Sequence, residues 1–288
     1  MSTDLVRIDP NQALARAVNE GGVGFEDTLI KPSFIELIHK SSTRLGVASG
    51  FDVEKGVDRE LKVGDLYDVR SGRIYSEIRV VPLRLRKGRA KFIKGAGLKA
   101  KPECRSNDGI VPSPFVEFPK AKTCAECLYS KWNGKQKPEC SDKWNLMFIQ
   151  RETMLPRMMN ISGTSISPLK ALWTQMAEDM QMEKTLLMQD IQQGKKPEES
   201  KHKVLNLWDY SFTIKPVFVP QGNGGFSYHV LTFPSVKRVA NPGEFGPLYQ
   251  QYVLSVEARR YEQQMEQEME AQFGSGNSQS ETDPVVQV

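Results

Sequence analysis

No run of apolar residues in this 288-residue chain approaches the ~18 that a membrane-crossing helix requires. The start, Met1-Ser-Thr-Asp-Leu-Val-Arg-Ile-Asp9, lacks the apolar stretch of a secretory signal. A soluble, cytoplasmic protein without a membrane partner is the expectation. Histidine is scarce: His39, His202 and His229 are the only three, and they form neither a triad nor an HExxH pattern. No D-x-D or E-x-K pair stands in a clear strand context, whereas a two-metal nuclease needs clustered carboxylates. The glycine-rich Gly222-Asn-Gly-Gly225 lacks the lysine of a P-loop and lies between two strand patterns, so it reads as a turn. These absences argue against an enzyme.

Acidic residues are missing from one long stretch. Between Arg79 and Lys101 stand nine basic residues and no acidic one, although the net charge of the whole chain is only +4. Arg84, Arg86, Lys87, Arg89 and Lys91 fall in its centre. The end of the chain is the reverse: from Glu257 to Val288 there are seven acidic and two basic residues. Such asymmetry points to a polyanionic partner more than net charge does.

Cysteine is confined too. Cys104, Cys124, Cys127 and Cys140 are the only four, and they read C-x19-C-x2-C-x12-C. A C-x2-C pair lets two thiolates grip one tetrahedral zinc from a tight turn, and two single cysteines can complete the site. Two disulfides or four unrelated thiols are the alternatives. A reducing compartment disfavours the disulfides. No histidine lies between Cys104 and Cys140, so the expected ligand set is all sulfur, closed and structural.

Taken in order, residues 1–24 suggest a flexible arm. Pro32 and Ser33 suit the start of a short helix with Phe34, Leu37 and Ile38 on one face. Residues 41–62 look like loop, and Val63–Val69 like a strand. Five strands follow, over 74–86, 143–151, 154–162, 207–219 and 225–234. In the first, Leu83 and Leu85 alternate with Arg84 and Arg86, which predicts one apolar face and one row of guanidinium groups. Ser167-Pro168 is a helix start, and that helix should end at Gly194. Its methionines, Met176, Met180, Met182 and Met188, suit an adaptable packing face.

Three strands, a helix and two strands is the order of an OB-fold, a five-stranded Greek-key barrel. The expected class is therefore mainly β with helices (α+β). An OB-fold-like domain would span 25–240, with a zinc loop at 100–143 in the connection between its first two strands. A charged C-terminal helix would cover 241–273 and a disordered tail 274–288.

The segments Gly64-Asp-Leu-Tyr-Asp68, Val80-Val-Pro-Leu-Arg-Leu-Arg86, Cys104-Arg-Ser-Asn-Asp-Gly109, Cys124-Ala-Glu-Cys127 and Cys140 with its apolar strand carry a resemblance. They look like the zinc-containing proteins of tailed bacteriophages associated with OB-fold single-stranded DNA-binding proteins. The resemblance covers roughly 60–235. It implies a phage protein in the host cytoplasm that protects and organises single-stranded DNA during replication or recombination, alongside other proteins of those processes. The tail is less acidic than the partner-recruiting tails usual in such proteins.

Single-stranded DNA requires cations along the phosphates and aromatic faces for the bases. Arg84, Arg86, Lys87, Arg89 and Lys91 are the candidate cations. Trp132, Trp144, Trp208 and Tyr210 are the candidate stacking rings, with Tyr75 and Phe212 behind them; core packing is the competing role for each. The rival function is a zinc-loop protein-interaction or transcription-regulating factor that does not touch DNA.

Overall fold

Apolar residues at period two account for most of what the chain forms. The computed structural model describes residues 32–40, 42, 44–92, 102–106, 108–114, 116, 119–220 and 227–254. The arm at 1–24, the turn at 221–226, most of the C-terminal helix and the tail lie outside the described residues. No helix among the described residues is long and apolar enough to cross a membrane.

Twelve strands form one mixed sheet. The N-terminal third supplies β1 (Ser33–Leu37), β2 (Ser49–Asp52), β3 (Val57–Glu60), β4 (Leu66–Asp68) and β5 (Arg73–Tyr75). The long β6 (Ile78–Phe92) is followed by β7 (Pro102–Ser106), β8 (Cys140–Gln150) and β9 (Leu155–Ser162). Helix α1 (Ile166–Gln192) then precedes β10 (Tyr210–Val219), β11 (Tyr228–Thr232) and the short β12 (Lys237–Arg238). The strands lie in the order β11-β10-β6-β8-β9-β1-β4-β5-β2-β3, with β7 paired to β6 and β12 to β10.

The class is thus mainly β with helices, as expected, but the sheet is larger than five strands and is not closed. The outer edge of β9 is taken by β1, in parallel register from Ser33 opposite Arg157 to Ile35 opposite Met159. Residues 33–37 are therefore strand rather than helix. Phe34, Leu37 and Ile38 fit a helical stripe, yet Ser33, Ile35 and Leu37 alternate inward, and pairing on both edges satisfies the backbone. The expected loop at 41–62 contains β2 and β3. The Ile74–Arg86 strand is interrupted at Ser76-Glu77 and continues to Phe92.

Both faces of the central strands are covered. On one, Leu169, Leu172 and Met176 of α1 pack against Ile78, Val80, Leu146 and Phe148. Ser165, not Ser167, precedes the helix, and its Oγ accepts the Leu231 N–H at 2.9 Å. The helix ends on Gly194, whose φ of +85° suits a residue without Cβ. On the other face, α2 (Phe245–Tyr249) and the wide π-type turn Gln250–Leu254 lay Phe245, Tyr252 and Val253 over Val81, Leu83, Met147 and Ile149. Residues 245–254 thus belong to the core rather than to a detachable helix. Val253→Ala is expected to cost about 1.5 kcal/mol, at roughly 0.8 per buried methylene. Urea unfolding of the two proteins side by side measures it.

A buried polar hub ties the N-terminal strands to this core. Asp68 is fully buried and accepts the Ser33 hydroxyl, the Arg70 N–H at 3.0 Å and the Ser71 N–H at 3.2 Å. Arg157 Nη2 lies 3.1 Å from its other oxygen. The contact joins β1, β4 and β9.

Candidate nucleic-acid interface and cysteine cavity

Beyond the core, β6 runs on between β7 and β8 as a three-stranded ribbon. A bulge at Leu83 decides which way its cations face. Pro82 pairs with Phe148 and Arg84 with Met147, so Leu83 is the extra residue. Leu83 therefore packs with Val81, while Leu85 packs on the opposite face against the α1 core. The simple alternation of Leu83 and Leu85 on one face does not hold. Past the bulge, even-numbered residues share a face with Met147, and odd-numbered ones share a face with Trp144.

The odd-numbered cations have acidic partners. Lys87 Nζ lies 3.1 Å and Arg89 Nε 3.2 Å from Asp142. Lys91 is buried in an ion pair with Glu103, lies 3.6 Å from Glu139 and stands 4.1 Å over the Tyr129 ring. The Glu103 contact raises the Lys91 pKa despite burial. Lys91 is consequently withdrawn from any phosphate, because its charge is already matched by Glu103 and Glu139.

On the even face, Arg84 and Arg86 stand with Met147 and Asn145 opposite them. Register adds two residues that sequence reasoning missed: Lys143, opposite Gly88, and Arg105, opposite Ala90. Burial, then the charge of Arg86, pushes Arg84 down to about 10. Burial, then Arg105, likewise lowers Lys143. Cations that depress one another favour an arriving anion. Lys143 also lies 5.0 Å from the centre of the Phe92 ring, which is 41% exposed. At the other end of the row, Arg84 lies close enough to Tyr249 to interact with it, and Tyr249 stacks on Trp208 with centroids 4.4 Å apart. One face thus carries four cations with aromatic rings at both ends. No sequence signal marks Lys143 or Arg105, because only strand register brings them there.

The expected stacking rings divide. Trp132 is 65% exposed in the cysteine loop. Trp208 is half-buried against Tyr249 and the second core. Trp144 packs against the α1 core, and its indole N–H is buried without a hydrogen-bond partner. Tyr210 is a core residue, 3% exposed, whose hydroxyl donates to Asp179 at 2.7 Å. Neither face of its ring is open to a base; Tyr75 and Phe212 are buried as well. Among the described residues, the exposed rings that took no part in the expectation are Phe51, Phe92, Tyr129, Phe218 and Tyr228.

The four cysteines converge at the end of the ribbon. Cys104 on β7 and Cys140 on β8 both sit opposite Lys91, one on each side. The Cys124–Cys127 turn closes over them: Cys124 N–H donates to Ile110 O at 2.7 Å, and Ser130 Oγ donates to the carbonyl of Cys127 at 2.8 Å. All four line one cavity of about 20 Å³ together with Arg89 and Ser130, and none is in a disulfide. Burial pushes Cys140 up to about 11; Arg89 works against that rise, and the other three sulfurs add to it. Cys104 is raised as well, chiefly by burial. Burial thus favours the thiol at Cys104 and Cys140, and a cation in the cavity would draw them to thiolates. As they stand, no three His, Cys, Asp or Glu side chains among the described residues are arranged to hold a metal ion.

Comparison with protein-family models, with curated proteins and with solved structures finds no match to this chain.

Proposed function

We propose that this chain binds single-stranded DNA along the even-numbered face of β6, and that its four cysteines hold one structural zinc that shapes the end of that face. The observation that carries the reading is the row Arg84, Arg86, Lys143 and Arg105, flanked by Tyr249 and Phe92. Cations at strand spacing can follow a phosphate chain, while exposed rings accept bases of any sequence. The surrounding strands support it: β6, β8, β9, β10 and β11, with α1 between the third and fourth, follow the strand order of an OB-fold. In this reading β1 stands where barrel closure would fall. Neither binding nor the barrel requires catalytic residues, and we propose no enzymatic activity.

For zinc, the support is chemical. Four cysteines and no other ligand type surround a cavity of single-ion size, which suits a closed structural site. Binding there would release thiol protons and fold the loop. One equivalent of zinc per chain is expected on metal analysis. Cys124→Ser should lower that content and open residues 104–140 to protease, with β8 and β9 still folded; a metal-free protein with a protease-resistant loop would refute the site.

One observation favours a second reading. Leu128 is 82% exposed, Trp132 65% and Ile110 65%, all on the cysteine loop. An apolar loop surface of this kind suits docking on another protein. Mobility shifts with single- and double-stranded oligonucleotides of one sequence separate the two. Binding to the single strand that weakens steeply with salt supports the first reading; no shift with either supports the second.

A further inference from the structure

A zinc ion held by four thiolates carries two net negative charges, and in a buried site that excess needs a cation. The inference below rests on the zinc reading. Three cations of the ribbon stand near the sulfurs, and of these Arg105, which also lines the cavity, belongs by register to the even face. Lys91 lies between Cys104 and Cys140 in register, but Glu103 and Glu139 already hold it, and Lys120 lies 2.6 Å from Glu103. Those two lysines and two carboxylates sum to zero. The other group is Lys87, Arg89 and Asp142, with one positive charge in excess. Arg89 belongs to the cavity wall itself. Its Nε is buried and, although 3.2 Å from Asp142, makes no hydrogen bond. A guanidinium donor next to four sulfurs is thus left with capacity to spare.

We infer that Arg89 is a positioning residue of the metal site, balancing the charge of the thiolates, and is not a phosphate contact. Its location on the odd face, away from Arg84 and Arg86, agrees with this assignment. Outer-shell partners of metal ligands contribute about 10–100-fold to metal affinity.

The test uses full-length protein loaded with zinc. Transfer of zinc to a chromogenic chelator is timed at fixed pH for the natural chain, Arg89→Gln, Arg89→Lys and Asp142→Asn. Arg89→Gln is expected to release zinc about tenfold faster, the low end of the outer-shell range. Arg89→Lys should fall between, and Asp142→Asn should release no faster than the natural chain, since it keeps the cation. Equal release from Arg89→Gln overturns the inference and leaves the zinc reading intact. Release from Asp142→Asn as fast as from Arg89→Gln also overturns it, by assigning Arg89 to strand pairing. A natural chain that takes up no zinc removes the metal site itself, before any variant is compared. DNA titration supplies the independent readout: the salt slope of Arg89→Gln should equal that of the natural chain, and a fall of about 0.7 would return Arg89 to the phosphates.

Discussion

Changing Arg84 and Arg86 together to alanine is expected to flatten the salt dependence of single-stranded DNA binding by about 1.4, at roughly 0.7 per phosphate contact. In 0.1 M salt that difference corresponds to about 25-fold weaker binding, if the lost contacts are purely electrostatic. The two arginines share the face that Lys143 and Arg105 extend, so Lys143→Ala should subtract a further ~0.7 from the slope. Lys87→Ala is the contrasting control, because its ammonium lies 3.1 Å from Asp142 on the other face. Arg84 is partly buried against Met147 and near Tyr249, so its removal also takes packing from that face. Titrating each variant at several salt concentrations, with thermal unfolding in parallel, separates lost charge from lost fold. An unchanged slope in the double variant would show that DNA does not run along this face.

The second large effect is on stability. Arg157→Leu is expected to destabilise the protein by about 3–5 kcal/mol, since it strands the Asp68 carboxylate in the core. The Tm should fall by roughly 10 °C in a domain of this size. Burial alone would favour a neutral Asp68, but the Ser33 hydroxyl and the Arg157 guanidinium outweigh it and hold the carboxyl below the usual carboxylate range. A carboxyl depressed on folding stabilises the protein above its unfolded pKa of about 4, and that contribution is lost as pH falls through the folded value. The difference in stability between the natural chain and Asp68→Asn should therefore narrow below about pH 4. Urea unfolding at pH 7, 5 and 3.5 measures it; a constant difference would mean that the carboxylate charge contributes nothing to the hub.

What the sequence made legible was local. The strand pattern of β6, the adjacent strands β8 and β9, the Ser-Pro start of α1 and the hairpin of β10 and β11 all rest on neighbours within a few residues. They lie within a few residues of where the pattern put them. The cysteine spacing likewise brought four side chains to one cavity. The errors came from partners far along the chain. Phe34, Leu37 and Ile38 fit a helical stripe, and only pairing with β9 and β4 selects the strand. The cations of β6 stand in a stretch without an acidic residue, but Asp142, Glu103 and Glu139 pair with Lys87, Arg89 and Lys91 from outside it. The bulge at Leu83 has no sequence mark beyond the preceding proline, yet it sets the facing of every side chain that follows. Phe245 and Tyr252 looked like parts of a solvated helix because Gly243, Gly246 and Pro247 obscure the period of the segment that caps the second core.

The parallel pairing of β1 with β9 has a consequence for synthesis. Ser33 must wait for Arg157, about 120 residues later, and at a ribosomal rate of ≈ 5–20 residues per second the delay is on the order of 6–25 s. During that time β1 has β4 on one side and nothing on the other, and Ile35 and Leu37 lack the β9 side of their core. An open, apolar strand edge of that kind is a template for joining a neighbouring chain. Expression at lower temperature, or with a chaperone that holds extended segments, should therefore raise the soluble yield of this protein more than it raises the yield of a chain whose first strand finds both partners early.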